Sequence, residues 1–199
     1  MVARAQPSKL GILGGTFDPI HIGHLIAASE ALDRFGLDLV LFVPAGQPWQ
    51  KRKVTSAEHR FVMTTLAVSP HPSFAVSRME LDRRGPTYTA DTLQALRELY
   101  AEAEFFFIAG VDALARLDTW HDVERVKELA RLIAADRPLS KGSQDLPDGV
   151  EMLEMPLIGV SATDIRRRVK DERPIEFLVP DPVATYIRQH GLYAGDSDA

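Results

Sequence analysis

The chain has 199 residues, 45% hydrophobic and 26% charged, enough to bury a sizeable core without covalent staples. It contains no cysteine, which excludes disulfides, thiolate zinc sites and cysteine nucleophiles and fits a cytoplasmic protein. The formal net charge of −5 argues against a surface that coats nucleic acid or anionic membrane, while permitting a local basic pocket.

The opening stretch MVARAQPSKL has no apolar core of signal-peptide length. Residues 9–15 (KLGILGG) read as a buried strand stopped by glycines, and residues 24–36 as a helix closed by Gly36. Residues 37–45 predict a second strand. Residues 56–69 predict a helix with Ser56 as N-cap, and residues 73–79 a third strand. A helix over 89–100, capped by Thr89, precedes a fourth strand at 104–110. The longest apolar run, FFFIAGV, falls there and is too short to span a bilayer. A helix at 122–130, a strand at 131–136, a polar loop over 139–149 and a sixth strand at 150–155 follow. This alternation predicts an α/β fold: a Rossmann-like, doubly wound parallel sheet with helices on both faces. From Ser161 onward the pattern is helical, over 161–171 and again over 181–193. The second of these helices has Asp181 as N-cap, Pro182 at its first position and Gly191 just past its end. One domain is expected over residues 1–199, with an α/β core at about 9–158 and a small C-terminal helical part at about 159–193. The loop around 140–149 is the internal segment expected to move.

Two segments carry chemistry. GGTFDPIHIGH (14–24) puts Gly14 and Gly15 at the carboxyl end of the first strand, where open α/β sheets bind ligands. A helix beginning near Ile22 would aim free N–H groups and its positive dipole end at that crevice. His21 and His24 lie three apart on the first turn, so a phosphate chain there could meet backbone N–H groups, the Thr16 hydroxyl and two imidazoles. The glycine spacing does not match GxGxxG, which weakens a dinucleotide-binding dehydrogenase reading. The second segment is SATDIRRRV (161–169). It predicts a capping box in which Ser161 caps the helix and Asp164 reaches back, with Arg166 turned towards the same anion. Arg167, Arg168 and Lys170 fall on other faces and read as solvated.

His21-Ile22-Gly23-His24 spells the HIGH signature of class I aminoacyl-tRNA synthetases, but no KMSKS-type loop is present. The full string resembles the (T/H)xGH signature of the nucleotidylyltransferase superfamily, and GVSATDIR (159–166) resembles its I-S-(S/A)-T-x-I-R motif, with Val160 in place of isoleucine. GPTYTADTL (85–93), residues 105–126 and AADRP (134–138) together resemble bacterial nicotinate-mononucleotide adenylyltransferase. The resemblance covers roughly residues 9–193.

That resemblance implies transfer of AMP from ATP to nicotinate mononucleotide, giving deamido-NAD and pyrophosphate. It implies His21, His24 and Arg166 as catalytic residues. ATP would be bound by them with Gly14, Gly15, Thr16, Phe17, Gly110, Asp112, Ser161 and Thr163. The mononucleotide would meet Thr16, Lys51, Tyr88, Thr89 and Trp120, the tryptophan stacking on the pyridine. Gln50 stands where the family usually has histidine, and His59-Arg60 matches a pair read as structural. Mg²⁺ is expected on the triphosphate with few protein ligands, and no metal site is assigned to the chain itself. The expected partners are these two small molecules, with no nucleic acid and no membrane; self-association is left open. Other acceptors (nicotinamide mononucleotide, phosphopantetheine), a non-catalytic nucleotide sensor and an RNA-binding module built on Arg166-Arg167-Arg168 are the competing readings.

Overall fold

A computed structural model describes residues 6–48, 54–135, 146–156 and 158–195. Its elements in chain order are β1 (Lys9–Gly15), α1 (Ile22–Phe35), β2 (Leu39–Pro44), α2 (Ala57–Val68), β3 (Phe74–Val76), α3 (Thr89–Leu99) and β4 (Glu104–Gly110). The short α4 (Val111–Leu114) and a 3-10 turn (Leu117–Thr119) follow. Then come α5 (Val123–Leu129), β5 (Arg131–Ala135), β6 (Val150–Leu153), α6 (Ala162–Lys170) and α7 (Asp181–Gln189). The strands form one sheet in the order β3-β2-β1-β4-β5-β6, every pair parallel. The order reverses between β1 and β4, the position at which doubly wound sheets open a ligand crevice.

The four central strands are buried on both faces because they are largely apolar and alternate between two cores. Val40, Phe42, Phe106, Ile108 and Ile133 face one core with α1, α2, α6 and α7. Leu41, Val43, Phe105, Phe107 and Leu132 face the other with α3, α4 and α5. Each fully buried phenylalanine of β4 contributes roughly 1.5–3 kcal/mol over exposure. Chain ends of the helices follow their sequence signals: Gly36 (φ 61°) takes the left-handed position after α1 and Gly191 (φ 59°) after α7. Ser56 caps α2 by accepting from the N–H of His59 at 3.4 Å.

Several boundaries differ from the sequence reading. The two edge strands are shorter than expected. β3 stops at Val76 because the Ser77 hydroxyl accepts from the N–H of Met79, a local turn that competes with the ladder. β6 stops at Leu153, opposite Ala135 at the end of β5. Tyr88, not Thr89, is the N-cap of α3, and Thr89 is its first helical residue. Pro180, not Asp181, is the N-cap of α7: its carbonyl accepts from Val183 at 2.9 Å and Ala184 at 3.0 Å. Asp181 thereby moves into the first turn, where its charge complements the helix dipole. The four-residue α4 had no readable period. Most of the loop expected to move, residues 140–145 of it, lies outside the described residues.

Candidate active site

At the end of β1 the chain passes through Gly15, Thr16 and Phe17 to a cis Asp18–Pro19 bond. A Cβ on Gly15 would sit 2.9 Å from the Phe17 ring, so the turn requires glycine there. Phe17 holds φ 50° and drives its ring into the core, where it meets Phe42 and the edge of His24. It therefore offers backbone rather than its ring to a ligand.

His21 is buried and is the N-cap of α1. Its N–H donates to Nδ1 of His24 at 3.2 Å, and the two rings stack 3.7 Å apart. This is a capping box with imidazole where a carboxylate usually stands. An Nδ1 that accepts places the proton of a neutral His24 ring on Nε2. The N–H of Ile22 is not free: it donates to the carbonyl of Leu178 at 3.0 Å. The anion donors expected from the start of α1 are reduced by that bond.

At α6, Ser161 caps the helix by accepting from the N–H of Asp164 at 3.1 Å. Asp164 does not reach back. Its carboxylate instead pairs with Arg167 and Arg168, which holds its pKa below the usual range, Arg168 contributing most. Those arginines are thus paired within the helix rather than simply solvated. Arg166 points the other way: Nη1 donates to the Asp18 carbonyl at 2.6 Å and Nη2 to the Thr163 hydroxyl at 3.3 Å.

Two cavities open at the carboxyl ends of the strands and share Gly14, Gly15, Thr16, Ala109 and Ala113 as a common wall. The first is lined further by Phe17, His21, His24, Gly110, Asp112, Ser161, Thr163 and Arg166. Its imidazoles, hydroxyls, guanidinium and the amino end of α6 suit an anion chain. The second is lined by Tyr88, Thr89, Trp120, His121 and Glu80, among others. Trp120 stands perpendicular to Phe107 at 5.8 Å, and Tyr88 packs on His121 at 4.4 Å. Lys51, with Trp49 and Gln50, lies outside the described residues.

Several polar residues here were assigned no role at the site by the sequence reading. Arg116 lines the first cavity. In the second, Glu80 accepts from the Thr92 hydroxyl at 2.7 Å, and burial pushes its pKa up against those hydrogen bonds and the charge of Arg83. A Cβ on Gly46 would lie 2.1 Å from the Glu80 carbonyl oxygen, so this loop closes on Glu80 only as glycine. Behind the wall, Arg60 is 1% exposed and donates to the carbonyls of Thr55 (2.9 Å), Thr16 (2.8 Å) and Gly46 (3.1 Å). Burial lowers its pKa, opposed chiefly by the Asp18 charge. The Asp18 carboxylate accepts from the Tyr193 hydroxyl at 2.7 Å and from the N–H of Thr55 at 3.2 Å. Its signal in sequence was position: Arg60 lies on the same helical stripe as Met63, Thr64 and Ala67, all buried.

The class follows from this frame: a family model described as cytidylyltransferase-like matches residues 12–168. Relatives narrow it. A protein named a probable nicotinate-nucleotide adenylyltransferase from Corynebacterium kroppenstedtii is 54% identical over 93% of this chain and 90% of its own length. One of the same name from Leifsonia xyli is 52% identical over 97% of each. The chain belongs to this family, the nicotinate-nucleotide adenylyltransferases of the cytidylyltransferase-like class. The fold is also that of a solved Plasmodium falciparum nicotinic acid mononucleotide adenylyltransferase complexed with NaAD, at 20% identity and a TM-score of 0.76 over 94% of this chain and 97% of that one. Among the described residues no helix is long and apolar enough to cross a membrane.

Proposed function

We propose that this chain transfers AMP from ATP to nicotinate mononucleotide, releasing pyrophosphate and deamido-NAD. The observation that carries this reading is the pair of cavities joined at Gly14-Gly15-Thr16. One has the donors for a triphosphate. The other has an aromatic wall and the amino end of α3. A reacting phosphate on the shared wall would be within reach of both.

The acceptor phosphate is itself the nucleophile and is anionic at neutral pH, so no general base is needed. Catalysis then rests on alignment and on neutralising charge at the α-phosphate and the departing pyrophosphate. His21, His24 and Arg166 take that work, with Thr16, Ser161 and Thr163 as neutral donors. Asp112 on the wall of the first cavity takes the ribose hydroxyls, beside Gly110. On the acceptor side, Trp120 stacks on the pyridine, while Thr89 and Tyr88 at the start of α3 hold the carboxylate. Lys51 is proposed as a further phosphate contact. Donors prevail in the first cavity, and the Asp18 carboxylate is already engaged by Tyr193 and Thr55. Mg²⁺ therefore fits this reading as an ion held mainly by phosphate oxygens, which it would shield from one another. One domain of residues 1–199, working in the cytoplasm on these small molecules, completes the proposal.

Pyrophosphate release measured with ATP and, in turn, nicotinate mononucleotide, nicotinamide mononucleotide and phosphopantetheine tests it. The acid mononucleotide should react fastest. Equal rates with the amide would remove the carboxylate-holding role of Thr89 and Tyr88.

A further inference from the structure

The segment after α7 returns to the phosphate turn. Tyr193 donates its hydroxyl to the Asp18 carboxylate at 2.7 Å, and the Asp18 carbonyl accepts Arg166 at 2.6 Å. Left-handed backbone adjoins this chain of bonds at two places: Phe17, just before Asp18, at φ 50° and Tyr193 at φ 67°. Residues other than glycine hold that conformation only where their surroundings fix it. What fixes it here is visible. Asp18 is 5% exposed and lies beside the buried Arg60, whose guanidinium grips Thr16 on one side and the loop ends Gly46 and Thr55 on the other. Helix α7 is tied to α2, the helix that carries Arg60, by a 2.8 Å hydrogen bond between His59 Nδ1 and the Tyr186 hydroxyl.

We infer that Tyr193 and Asp18 are positioning residues: through them the C-terminal segment fixes where the Arg166 guanidinium meets the nucleotide triphosphate. Tyr193 is not among the residues lining either cavity, whereas Asp18 lines the first, so Tyr193 acts only through Asp18. The inference rests on the reading of the first cavity as the ATP site, and is independent of which acceptor fills the second.

The test is a double-mutant cycle on ATP affinity, measured by calorimetry without acceptor. Tyr193→Phe should weaken ATP binding about fivefold, the scale of one hydrogen bond. In an Arg166→Lys background the same change should cost less than about twofold, because its effect passes through that guanidinium. The KM for the acceptor should stay within about twofold. Undiminished ATP affinity in folded Tyr193→Phe, or an equal loss in both backgrounds, overturns the inference, since a purely stabilising contact gives one or the other. Should Tyr193→Phe lower the folded fraction, the same cycle is read as affinity per folded molecule, the folded fraction being taken from circular dichroism. Absence of pyrophosphate release with any acceptor, alongside the expected cycle, would sink the transfer reaction and leave the positioning role standing.

Discussion

His24 accepts the backbone N–H of His21 at its Nδ1, while the two imidazoles lie stacked 3.7 Å apart. The bond fixes the ring and its tautomer before any substrate arrives. His24→Ala should therefore lower kcat about 10²–10³-fold, the scale of one donor aimed at developing charge. Circular dichroism and the urea midpoint should show the fold retained. A folded variant with unchanged kcat would count decisively against the assignment.

Trp120 packs edge-on to Phe107 and lines only the second cavity. Trp120→Ala should raise the KM for the mononucleotide, by the equivalent of about 1–3 kcal/mol of stacking, with the KM for ATP unchanged. Steady-state kinetics with each substrate varied separately distinguishes this from a general loosening, which would raise both.

Arg60→Met would remove one guanidinium from three carbonyls and leave Asp18 without its buried counter-charge. Leaving those buried carbonyls without their charged donor costs about 1–3 kcal/mol for each one that water does not reach. Urea unfolding should show that loss as a lower midpoint at an unchanged slope. A loss under about 1 kcal/mol would mean that water replaces the guanidinium freely.

Two carboxylates act on opposite limbs of the pH–stability curve. Asp38 accepts from the backbone N–H of Lys9 and from the hydroxyl and N–H of Ser8, which lowers its pKa from 3.8. Its contribution is present above that value and lost as pH falls below it. Asp38→Asn should flatten the acid limb, modestly because the group is exposed. Burial raises the pKa of Glu80 above 4.5, so its contribution is complete below 4.5 and is lost as pH rises through the folded value. Glu80→Gln should remove that decline. Urea midpoints between pH 3 and 8 would reveal both, and parallel curves for wild type and variants would refute them.

The order of elements was legible because β1, β2, β4 and β5 are apolar on both faces, and the helical periods of α1, α2, α3 and α5 separate them. Edge strands were overestimated because β3 and most of β6 remain partly or fully exposed, and only pairing determines where they end. The glycines, histidines and SATDIR stretch could be singled out because local spacing alone puts them on turns and first helical turns. Arg60 was read only as one of a structural pair. What it does depends on carbonyls 5, 14 and 44 residues away in sequence, which no local pattern brings together. Likewise Asp164 satisfied the spacing of a capping box, yet two arginines one turn later compete better for its carboxylate.

The Leu178 carbonyl closes the start of α1, and Tyr193 bonds to Asp18. During synthesis the GGTFDPIHIGH segment emerges from the ribosome long before either of these partners. A nascent chain can pair β1 with β2 and β4, yet its phosphate turn stays unfinished until the last helix has been translated and docked. On the proposed reading of this turn as the ATP site, nucleotide binding is a late event of folding, and a ribosome stalled before Tyr193 should carry a folded sheet that holds ATP poorly.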